Sequence, residues 1–541
     1  MRVLLSVRFW LLWLGSLNFF SASAQFAEPL TFGGAANENG YHLLSDGAGG
    51  FFVAGTTDGA FTPAGTPLPV YGQEDFFLGR LDAEGNWLWA RSGGSFLNDE
   101  IRVMRSMPDG GLLLAGTFWL DFTYDEFELS TSDNIRGAFI LRTDALGNEQ
   151  WGKVINGANL REIEDVKIGP EGQIYLTGYF AETLQFDTLE LEARGDNDAF
   201  LLKLSPDGEL ESWQQLGYKG TTRGQTLALH PDGGYYWGGV YDDTLRVDTA
   251  ELYANTFDRD VFVGRFDGDG NALWAKRAGG VFEEELIAME TDEDGNVVAT
   301  GFLIGVMTLS ETLSVQSRNG NPDIFLFQYD ETGAPLWARA IGGNLIDLPT
   351  DLNLQEDVLY LSGTYQGSIA WDDLSTPTTG GVNGFVAAFD PASGNSQWLA
   401  PVTTEEFVFV EALAVDSELG LFAIGSFTGT ARLGSFTVTN PGDYDVFLTA
   451  VDPGLTSVFS PEAFPELKLF PNPARDRIYL ENRENPIVRL QIYDAAGRKR
   501  WERHGQLLSQ PLNVSTLEPG LYWLVIHLEE KFVTKSFTIV R

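Results

Sequence analysis

The sequence predicts an all-β protein built from one repeated unit, and three observations support this prediction. The chain is rich in glycine and has no long segment with helical periodicity, which suits a turn-rich fold. Tryptophans recur in one slot with steps of 62, 62, 61, 63 and 61 residues, at Trp89, Trp151, Trp213, Trp274, Trp337 and Trp398. Glycines that end a predicted apolar strand keep step with them, at Gly55, Gly116, Gly178, Gly239, Gly301, Gly363 and Gly425.

The stretch 260–280 illustrates the unit. An apolar strand, Val261–Phe266, leads into an Asp/Gly turn, a second strand that carries Trp274, and a Gly-Gly exit. Turn residues between two such runs predict a β-hairpin. One copy consists of a second hairpin, a more variable stretch and the hairpin that carries the tryptophan. Seven copies account for roughly Phe26–Ser460.

Repeat length decides the architecture. Strands of about five or six residues cannot bury both faces alone, so neighbouring copies must stack. Solenoid repeats typically run to about 20–47 residues, whereas propeller blades run to about 40–50. Four strands with short turns leave room in this unit for an extra hairpin. We therefore predict a seven-bladed β-propeller whose blades each carry an elaborated loop or a fifth strand.

The two ends of the repeat array predict a closed ring. The seventh copy contains the strand that begins at Asp445, but Phe459 stands in its tryptophan slot and no Gly-Gly follows. Pro29–Gly34, at the other end of the array, looks like a copy of the missing strand. We expect this N-terminal strand to complete the last blade, because closure leaves no exposed sheet edge at the join.

The six tryptophans are expected to be structural. Each would bury about 150–250 Å² and pack in the core between copies. The alternative is that they are exposed ligand contacts, and removing one would then leave the stability unchanged.

The repeat resembles a known bacterial pattern. The motif Asp-x-x-Gly-x-x-x-Trp-Ala, then Gly-Gly, Asp-Gly and an apolar strand ending in glycine, is similar to the β-propeller repeats called SBBP repeats. Asp390–Trp398 also resembles a quinoprotein-type repeat, but the other copies are one residue shorter there. The spacing of the sialidase Asp-box is not matched. The SBBP resemblance implies a fold and defines no activity.

The first 24 residues have the features of a secretory signal peptide. Arg2 and Arg8 precede the apolar run Phe9–Phe20, and Ala22-Ser23-Ala24 provides a cleavage site. No other stretch is long and apolar enough for a membrane-spanning helix. We therefore expect an exported protein without a transmembrane segment. The chain has no cysteine, so stability must come from packing or bound ions.

The charge distribution disfavours nucleic acid as a partner. The formal net charge of the chain is −41. The tail beyond Phe464 is slightly basic, so the repeat region is more negative than the chain as a whole. Such an acidic surface repels phosphate backbones. It suits cation binding or simple solubility outside the cell.

The tail predicts a separate all-β domain. Alternating strands, separated by turns at Asp494–Gly497 and Glu518–Gly520, are typical of a small, immunoglobulin-like β-sandwich. The expected organisation is a signal peptide at 1–24, a propeller at 25–460 and the tail domain at 461–541.

The tail closely resembles the C-terminal sorting domain of Bacteroidota type IX secretion substrates. The matching residues are Pro471, Asn472, Pro473, Gly497, Arg498, Pro519, Gly520, Lys535 and Arg541. The resemblance implies passage through the periplasm and handling by the type IX machinery. It also implies removal of the tail, followed by release or attachment to surface lipopolysaccharide. The expected location is extracellular or on the outer-membrane surface.

One column of the repeat is a candidate binding site. Sixteen residues before each strand-ending glycine lie Asn39, Glu100, Glu162, Arg223, Glu285, Asp347 and Phe409. We expect these positions to converge on one mouth of the central channel. Like charges held close together raise one another's pKa or bind a cation, and calcium or a cationic ligand group is the candidate. Alternatively, the carboxylates accept hydrogen bonds from turn amides between blades.

No catalytic residue is assigned from the sequence. The absence of cysteine excludes thiol catalysis, and His42 and His230 occupy different columns of the repeat. We expect a binding or adhesion module whose ligand, a glycan or a protein, meets the variable loops after the strand-ending glycines. The alternative is an extracellular polysaccharide-active enzyme that uses carboxylates about 5–10 Å apart on one propeller face.

Overall fold

The computed structural model describes seven ranges of the repeat region and shorter segments of the tail. The ranges are 25–131, 136–158, 161–254, 258–355, 357–417, 419–440 and 442–452, and the tail segments lie between 468 and 540. The predicted signal peptide lies outside these residues. The chain divides into two compact units, Met1–Gly454 and Leu455–Arg541.

The first unit confirms the predicted seven-bladed β-propeller, and its described residues contain no α-helix. Each blade is an antiparallel sheet of four strands, inner, second, third and outer, joined in chain order. The inner strands are Glu38–Ser45, Glu100–Ser106, Arg161–Ile168, Thr222–Leu229, Glu284–Thr291, Asp347–Gln355 and Val408–Asp416. The second strands are Phe51–Thr57, Leu112–Trp119, Ile174–Phe180, Tyr235–Tyr241, Val297–Leu303, Val358–Gln366 and Gly420–Phe427.

The third and outer strands complete the blades. The third strands are Asp75–Leu81, Arg136–Thr143, Asp198–Leu204, Asp260–Phe266, Asp323–Tyr329, Val382–Phe389 and Asp445–Asp452. The outer strands of blades 1 to 6 are Trp87–Gly94, Glu149–Ile155, Leu210–Leu216, Ala272–Ala278, Pro335–Gly343 and Ser396–Thr404. The second and third strands are buried almost throughout, because both of their faces pack against neighbouring blades.

The seventh blade is closed by the N-terminal segment, as predicted. Leu30–Phe32 pairs antiparallel with its third strand, with Leu30 opposite Leu448 and Phe32 opposite Val446. Gln25–Phe26 continues the pairing further along the same strand. The two termini of the propeller therefore share one sheet.

The extra residues of each repeat form hairpins rather than free loops. In blades 2 to 7 the variable stretch folds into two short strands after the second strand. Each hairpin forms bridges with the outer edge of the preceding blade, as in the pairing of Gly93 with Tyr124. Blade 1 has a 3-10 turn at Pro63–Gly65 in this position. The hairpins are Asp121–Tyr124 with Phe127–Ser130, Thr183–Phe186 with Leu189–Glu192, Thr244–Val247 with Ala250–Tyr253, Val306–Ser310 with Leu313–Gln316, Ile369–Trp371 with Leu374–Ser375, and Thr430–Leu433 with Phe436–Thr439.

The tryptophans join each blade to the next. The indole N–H of Trp337 donates to the carbonyl of Pro391 at 2.9 Å, in the turn of the following blade. Trp274 donates in the same way to Glu331 at 2.9 Å. Gly147, at a φ of +77° in an equivalent turn, lies against Trp89, and a Cβ there would come within 2.8 Å of the indole. The turn glycine therefore makes room for the ring as well as allowing the turn.

Trp213 departs from this arrangement. It is 44% exposed, whereas Trp337 is 6% exposed, Trp398 is 4% exposed and the remaining three are partly buried. Trp213 lies opposite Leu202, and Ser212 takes the position that tryptophan holds in the other blades. The chain has one extra residue between the turn glycine and this tryptophan. A shift of one residue sends a side chain to the other face of a strand, which explains the exposure.

The second unit consists of two antiparallel sheets. One sheet contains Lys468–Phe470, Arg477–Glu481 and Leu512–Asn513, and the other contains Lys499–His504, Ile487–Asp494, Gly520–Leu528 and Phe532–Ile539. Ile478, Leu490, Ile492 and Leu524 belong to one apolar cluster drawn from both sheets. The immunoglobulin-like sandwich remains a prediction for this unit. Within the described residues, no helix has the length and apolar character needed to cross a membrane.

Replacing Trp337 with alanine should lower the free energy of unfolding by about 3–5 kcal/mol, because it empties a buried site between two blades. Trp213→Ala is the matched control and should cost less than about 1 kcal/mol, because that ring is largely exposed. Urea unfolding of the two variants measures the difference. Equal losses would contradict the structural role of the tryptophan slot.

Candidate binding site at the channel mouth

The seven inner strands line a central channel. Its cavity has a volume of about 660 Å³ and is bounded by residues from every blade. Each inner strand has a β-bulge at the same level, where one residue has no partner on the second strand. A bulge of this kind turns a side chain away from the regular sheet pattern. The bulged residues are Tyr41, Arg102, Glu164, Gln225, Ile287, Thr350 and Glu411.

The predicted acidic column lies two residues before the bulge in most blades. Asn39, Glu100, Glu162 and Glu285 all occupy this level, where the inner strands begin. Of these four, Glu100 lines the channel cavity. The other three lie near the mouth outside the cavity wall.

Glu162 is held by three donors. Arg136 donates to its carboxylate at 2.7 Å, the hydroxyl of Tyr179 at 2.9 Å and Arg102 at 3.3 Å. Burial alone would raise the pKa of Glu162, but Arg136, Tyr179 and Arg102 outweigh burial and hold this pKa below its ordinary value. The carboxylate is therefore the centre of a compensated network.

Glu285 is compensated in a similar way. The side-chain amide of Gln225 donates to it at 2.5 Å, and a guanidinium nitrogen of Arg259 lies 3.3 Å from its other oxygen. Arg223, which interrupts the acidic column, lies over the ring of Tyr179 at 4.7 Å. The blade 3 to blade 5 side of the mouth thus carries arginines among its carboxylates.

Asp347 occupies a different place from the other members of the predicted column. In blade 6 the chain is one residue shorter between the bulge and the strand-ending glycine, so Leu348 lies two residues before the bulge and takes the level of Glu100. Asp347 is fully buried and accepts a hydrogen bond from the backbone N–H of Gly343 at 2.6 Å. It belongs with Glu38, Asp99 and Glu284, which accept from backbone amides at the same level of other blades.

The blade 7 to blade 2 side of the mouth is more acidic. Burial, followed by the nearby charge of Glu100, raises the pKa of Glu411 to about 7. Burial also raises the pKa of Tyr41 to about 12, with Glu411, Glu74 and Glu100 adding to the effect. Three carboxyl groups thus surround one tyrosine hydroxyl. The cation beside Glu100 is Arg102, at 3.5 Å.

A cleft opens beside the channel on this acidic side. Its volume is about 300 Å³, and it shares Tyr41 and Glu100 with the channel wall. Its remaining lining residues are Thr56, Glu74, Asn98, Asp99, Thr117, Trp119 and Arg136. Carboxylates, an amide, a hydroxyl and two aromatic rings therefore face one small space. Such a set can bind hydroxyl-rich or cationic groups.

The middle of the channel is crossed by ion pairs. Lys167 of blade 3 lies 2.8 Å from Glu290 of blade 5, so this pair spans the opening past blade 4. Asp165 accepts from Arg105 of blade 2 at 2.7 Å and from the backbone N–H of Leu227 of blade 4 at 2.9 Å. These contacts tie the inner strands together below the mouth.

Within the ranges that the structure describes, no group of three or more His, Cys, Asp or Glu side chains is arranged to hold a metal ion. The carboxylates of the predicted column are separated by arginine, glutamine and tyrosine side chains. Calcium binding by this column remains a prediction.

The bulged column was missed by sequence reasoning. Its members have no shared residue type, and a bulge is defined by pairing to the second strand, which no spacing within one strand reveals. The extra residue before Trp213 and the missing residue after Asp347 could be found in the sequence, because they change the spacing from Gly208 to Trp213 and from Trp337 to Gly363 relative to other copies.

The tail matches a known family. Residues 468–540 match the secretion system C-terminal sorting domain, which confirms the prediction for this region. The match implies export by type IX secretion to the cell surface or the extracellular space. Of the predicted sorting residues, Gly520 begins one strand and Lys535 lies in another. The others, Pro471, Asn472, Pro473, Gly497, Arg498, Pro519 and Arg541, lie outside the described residues.

The propeller is similar to parts of larger curated proteins. The chain is 22% identical over 443 residues to the protein named Uncharacterized WD repeat-containing protein L264 of Acanthamoeba polyphaga mimivirus, covering 66% of this chain and 32% of that one. It is 27% identical over 143 residues to Regulatory protein FlaEY of Caulobacter vibrioides, covering 26% of this chain and 15% of that one. The chain thus spans about a third or less of these relatives.

Similar solved structures are remote. Pyrococcus horikoshii acylaminoacyl peptidase aligns with a TM-score of 0.36 and 10% identity, covering 87% of this chain and 60% of that one. A Synechocystis apocarotenoid oxygenase mutant gives 0.37 and 9%, covering 80% and 95%. These similarities carry no functional argument.

Replacing Glu162 with glutamine should lower the free energy of unfolding by about 1–3 kcal/mol, because it leaves two arginines without their buried partner. The pKa of Glu162 is depressed, so the contribution is present at neutral pH and is lost as the pH falls through its folded-state pKa. Urea unfolding should show a smaller difference from wild type at pH 3 than at pH 7. Glu209→Gln, at a side chain 75% exposed, is the control and should have little effect at either pH.

Proposed function

We propose that this protein is an extracellular or cell-surface binding module, with its ligand held on the propeller face where the inner strands begin. The observation that carries the proposal is the cleft beside the channel mouth, with Glu74, Glu100, Tyr41, Asn98 and Trp119 around one space. The ligand is a glycan or a protein that presents hydroxyl-rich or cationic groups. The acidic character of the repeat region favours a cationic group.

The uneven charge around the mouth supports this location. On the blade 3 to blade 5 side, Glu162 and Glu285 already have arginine partners. On the cleft side, Glu74 accepts a hydrogen bond from Thr56 at 2.7 Å, and Glu100 lies 3.5 Å from Arg102. Because Glu74 pairs with no cation among the described residues, a cationic or hydroxylated ligand would find an acceptor there.

Exposed apolar side chains on the same face add to the support. They lie in the short connections between the outer strand of one blade and the inner strand of the next. Short loops on a rigid ring are suited to holding a binding surface in place. The exposed residues are Phe96, Val281, Phe282, Leu345, Ile346 and Phe407.

Contact of the ligand with the variable stretches after the strand-ending glycines stays a prediction. The variable stretches after the strand-ending glycines fold into hairpins against the outer edges of neighbouring blades, so their backbone is engaged in pairing. The short connections around the mouth are better placed to contact a ligand.

A polysaccharide-active enzyme is the second candidate. The observation in its favour is that three acidic residues, Glu74, Asp99 and Glu100, line one cleft with two aromatic rings. Turnover of extracellular polysaccharides at this cleft would identify the enzyme, and binding without turnover would identify the module. The proposed organisation is a signal peptide at 1–24, an SBBP-like propeller at 25–460 and a sorting domain at 461–541 that is removed before release or attachment to surface lipopolysaccharide.

Removing both carboxylates from the cleft tests the binding proposal. The double variant Glu74→Gln/Glu100→Gln should weaken binding of any ligand found on a glycan array or a cationic-peptide panel by about tenfold or more, equivalent to about 1.4 kcal/mol. For a cationic ligand the wild-type affinity should fall as salt is raised.

The matched control removes the same charge from the opposite face. Glu209→Gln/Glu331→Gln, in two turns that lead into outer strands, should bind as wild type does. Equal weakening by both double variants would show that overall charge, and not the cleft, determines binding.

Deleting residues 468–540 should abolish appearance at the cell surface, because the type IX machinery would lose its sorting domain. Cell fractionation should find the shortened chain in the periplasm, and whole-cell protease treatment should leave it intact. Surface exposure of the shortened chain would contradict this export route.

A further inference from the structure

Four of the seven seams between neighbouring blades contain two buried carboxyl groups. One comes from the first residue of the third strand, and the other lies at the start of the inner strand of the next blade. All eight side chains are between 0 and 2% exposed. The pairs are Asp75 with Asp99, Asp260 with Glu284, Asp323 with Asp347, and Asp445 with Glu38.

The seam between blades 5 and 6 shows how each pair is built. The backbone N–H of Arg318 donates to Asp323 Oδ2 at 2.6 Å, and the backbone N–H of Gly343 donates to Asp347 Oδ2 at 2.6 Å. Gly342 packs against the first carboxyl group, and a Cβ there would come within 2.3 Å of Asp323 Oδ1. Main-chain atoms thus hold one oxygen of each carboxyl group.

In this seam the other oxygens have no hydrogen-bond partner: Oδ1 of Asp323 and Oδ1 of Asp347 are both buried without a donor among the described residues. In each of the other three seams one carboxyl oxygen is buried without a donor, namely Asp75 Oδ1, Asp445 Oδ1 and Glu284 Oε1. Their partners Asp99, Glu38 and Asp260 accept from Ser95, Thr57 and Arg277. Two buried carboxylates with unmatched oxygens would be costly if both were charged. A proton or a cation between the two carboxyl groups would remove this cost.

The number of oxygen atoms that each species needs distinguishes a cation from a proton. A divalent cation such as calcium takes six to eight oxygen ligands, and magnesium takes six. A proton needs two oxygens, one as donor and one as acceptor. We propose that each of the four seams binds one proton, shared between its two carboxyl groups, and that the ring is therefore held most tightly at acidic pH.

The electrostatics agree with this geometry. Burial, together with the charge of Asp323, raises the pKa of Asp347 to about 8, and burial with the charge of Asp260 raises that of Glu284 to about 9. Burial raises the pKa of Asp99 to about 7, with Asp75 contributing. Raised folded-state values mean that stability is greatest below the unfolded pKa near 4 and is lost as the pH rises through about 6 to 9.

Other charged and titratable groups face the seams. At the seam between blades 5 and 6 these are Arg318 and Tyr365. Burial raises the pKa of Tyr365 to about 12, so its hydroxyl stays neutral. Arg277 lies 2.6 Å from Asp260, and its charge partly opposes the rise in the pKa of Glu284. Tyr241 also faces that seam, Asp58 faces Glu38, and Tyr71 faces Asp75.

The remaining seams show that folding does not need the pairs. The equivalent positions of these seams hold Asp198 and Thr222, Asn383 and Val408, and Gly137 and Arg161. The ring closes at these seams with one carboxyl group or none. An amide in place of a seam carboxyl group is therefore compatible with the fold, as Asn383 already shows.

The test compares the pH dependence of unfolding in the full chain. Wild type should lose stability from pH 5 to pH 9, with each shared proton contributing up to about a tenfold fall in the folding equilibrium constant per pH unit. Asp347→Asn should remove one proton's share of that slope and be more stable than wild type at pH 9, because the amide replaces the proton as donor. Asp198→Asn, at the seam that Thr222 completes, should keep the wild-type slope.

Two further measurements make the result decisive. Asp323→Asn, which repeats the amide of Asn383, should behave as Asp347→Asn does. Infrared spectra at pH 7 should contain a protonated-carboxyl band that each seam variant reduces. The proposal is overturned if the slope is unchanged in both variants. It is also overturned if calcium stabilises wild type at pH 8 and this effect is lost in Asp347→Asn, since the seam would then bind a cation.

Discussion

The pairing of the N-terminal segment with the last blade is the constraint on which the ring depends. Leu30 and Phe32 lie opposite Leu448 and Val446, so the first residues of the propeller complete its final sheet. Ile424 of blade 7 and Val53 of blade 1 then share one apolar cluster, and the backbone N–H of Gly40 donates to Ser426 Oγ at 3.0 Å across the same seam. Without this strand the third strand of blade 7 would present an open edge.

Once the ring is closed, every blade is packed on two sides. This geometry explains why the second and third strands are apolar throughout rather than alternating. Polar groups are pushed to the ends of the strands, to the channel and to the seams. There they are matched in pairs, as in the Lys167–Glu290 contact and the main-chain hydrogen bonds to seam carboxyl groups.

The same packing separates structural charge from charge available to a ligand. Glu162 is fully engaged with Arg136, Tyr179 and Arg102, so it stabilises the ring. Glu74 and Glu100 face a cleft beside Tyr41 and Trp119. The carboxylates come from the same repeat, but differences of a few residues around them decide which are enclosed in a network and which line the cleft. The sorting domain then determines where such a surface is displayed.

The sequence by itself determined the repeat, its number and the way it closes. Regular recurrence of Trp89 and its equivalents, and the strand missing after Asp445, require seven stacked sheets that share their ends. The sorting domain was also readable, because its motifs are local in the chain.

Only the tertiary structure decided where individual side chains go. A one-residue shift exposes Trp213, and another removes Asp347 from the mouth and places it opposite Asp323. The bulges that set the channel wall depend on pairing between strands, and the seam pairs join residues of different blades, one of them linking Asp445 near the end of the propeller to Glu38 near its start. Position within a repeat fixes a level along the strand. Which face a side chain takes, and which partner it meets, depend on register and on the neighbouring blade.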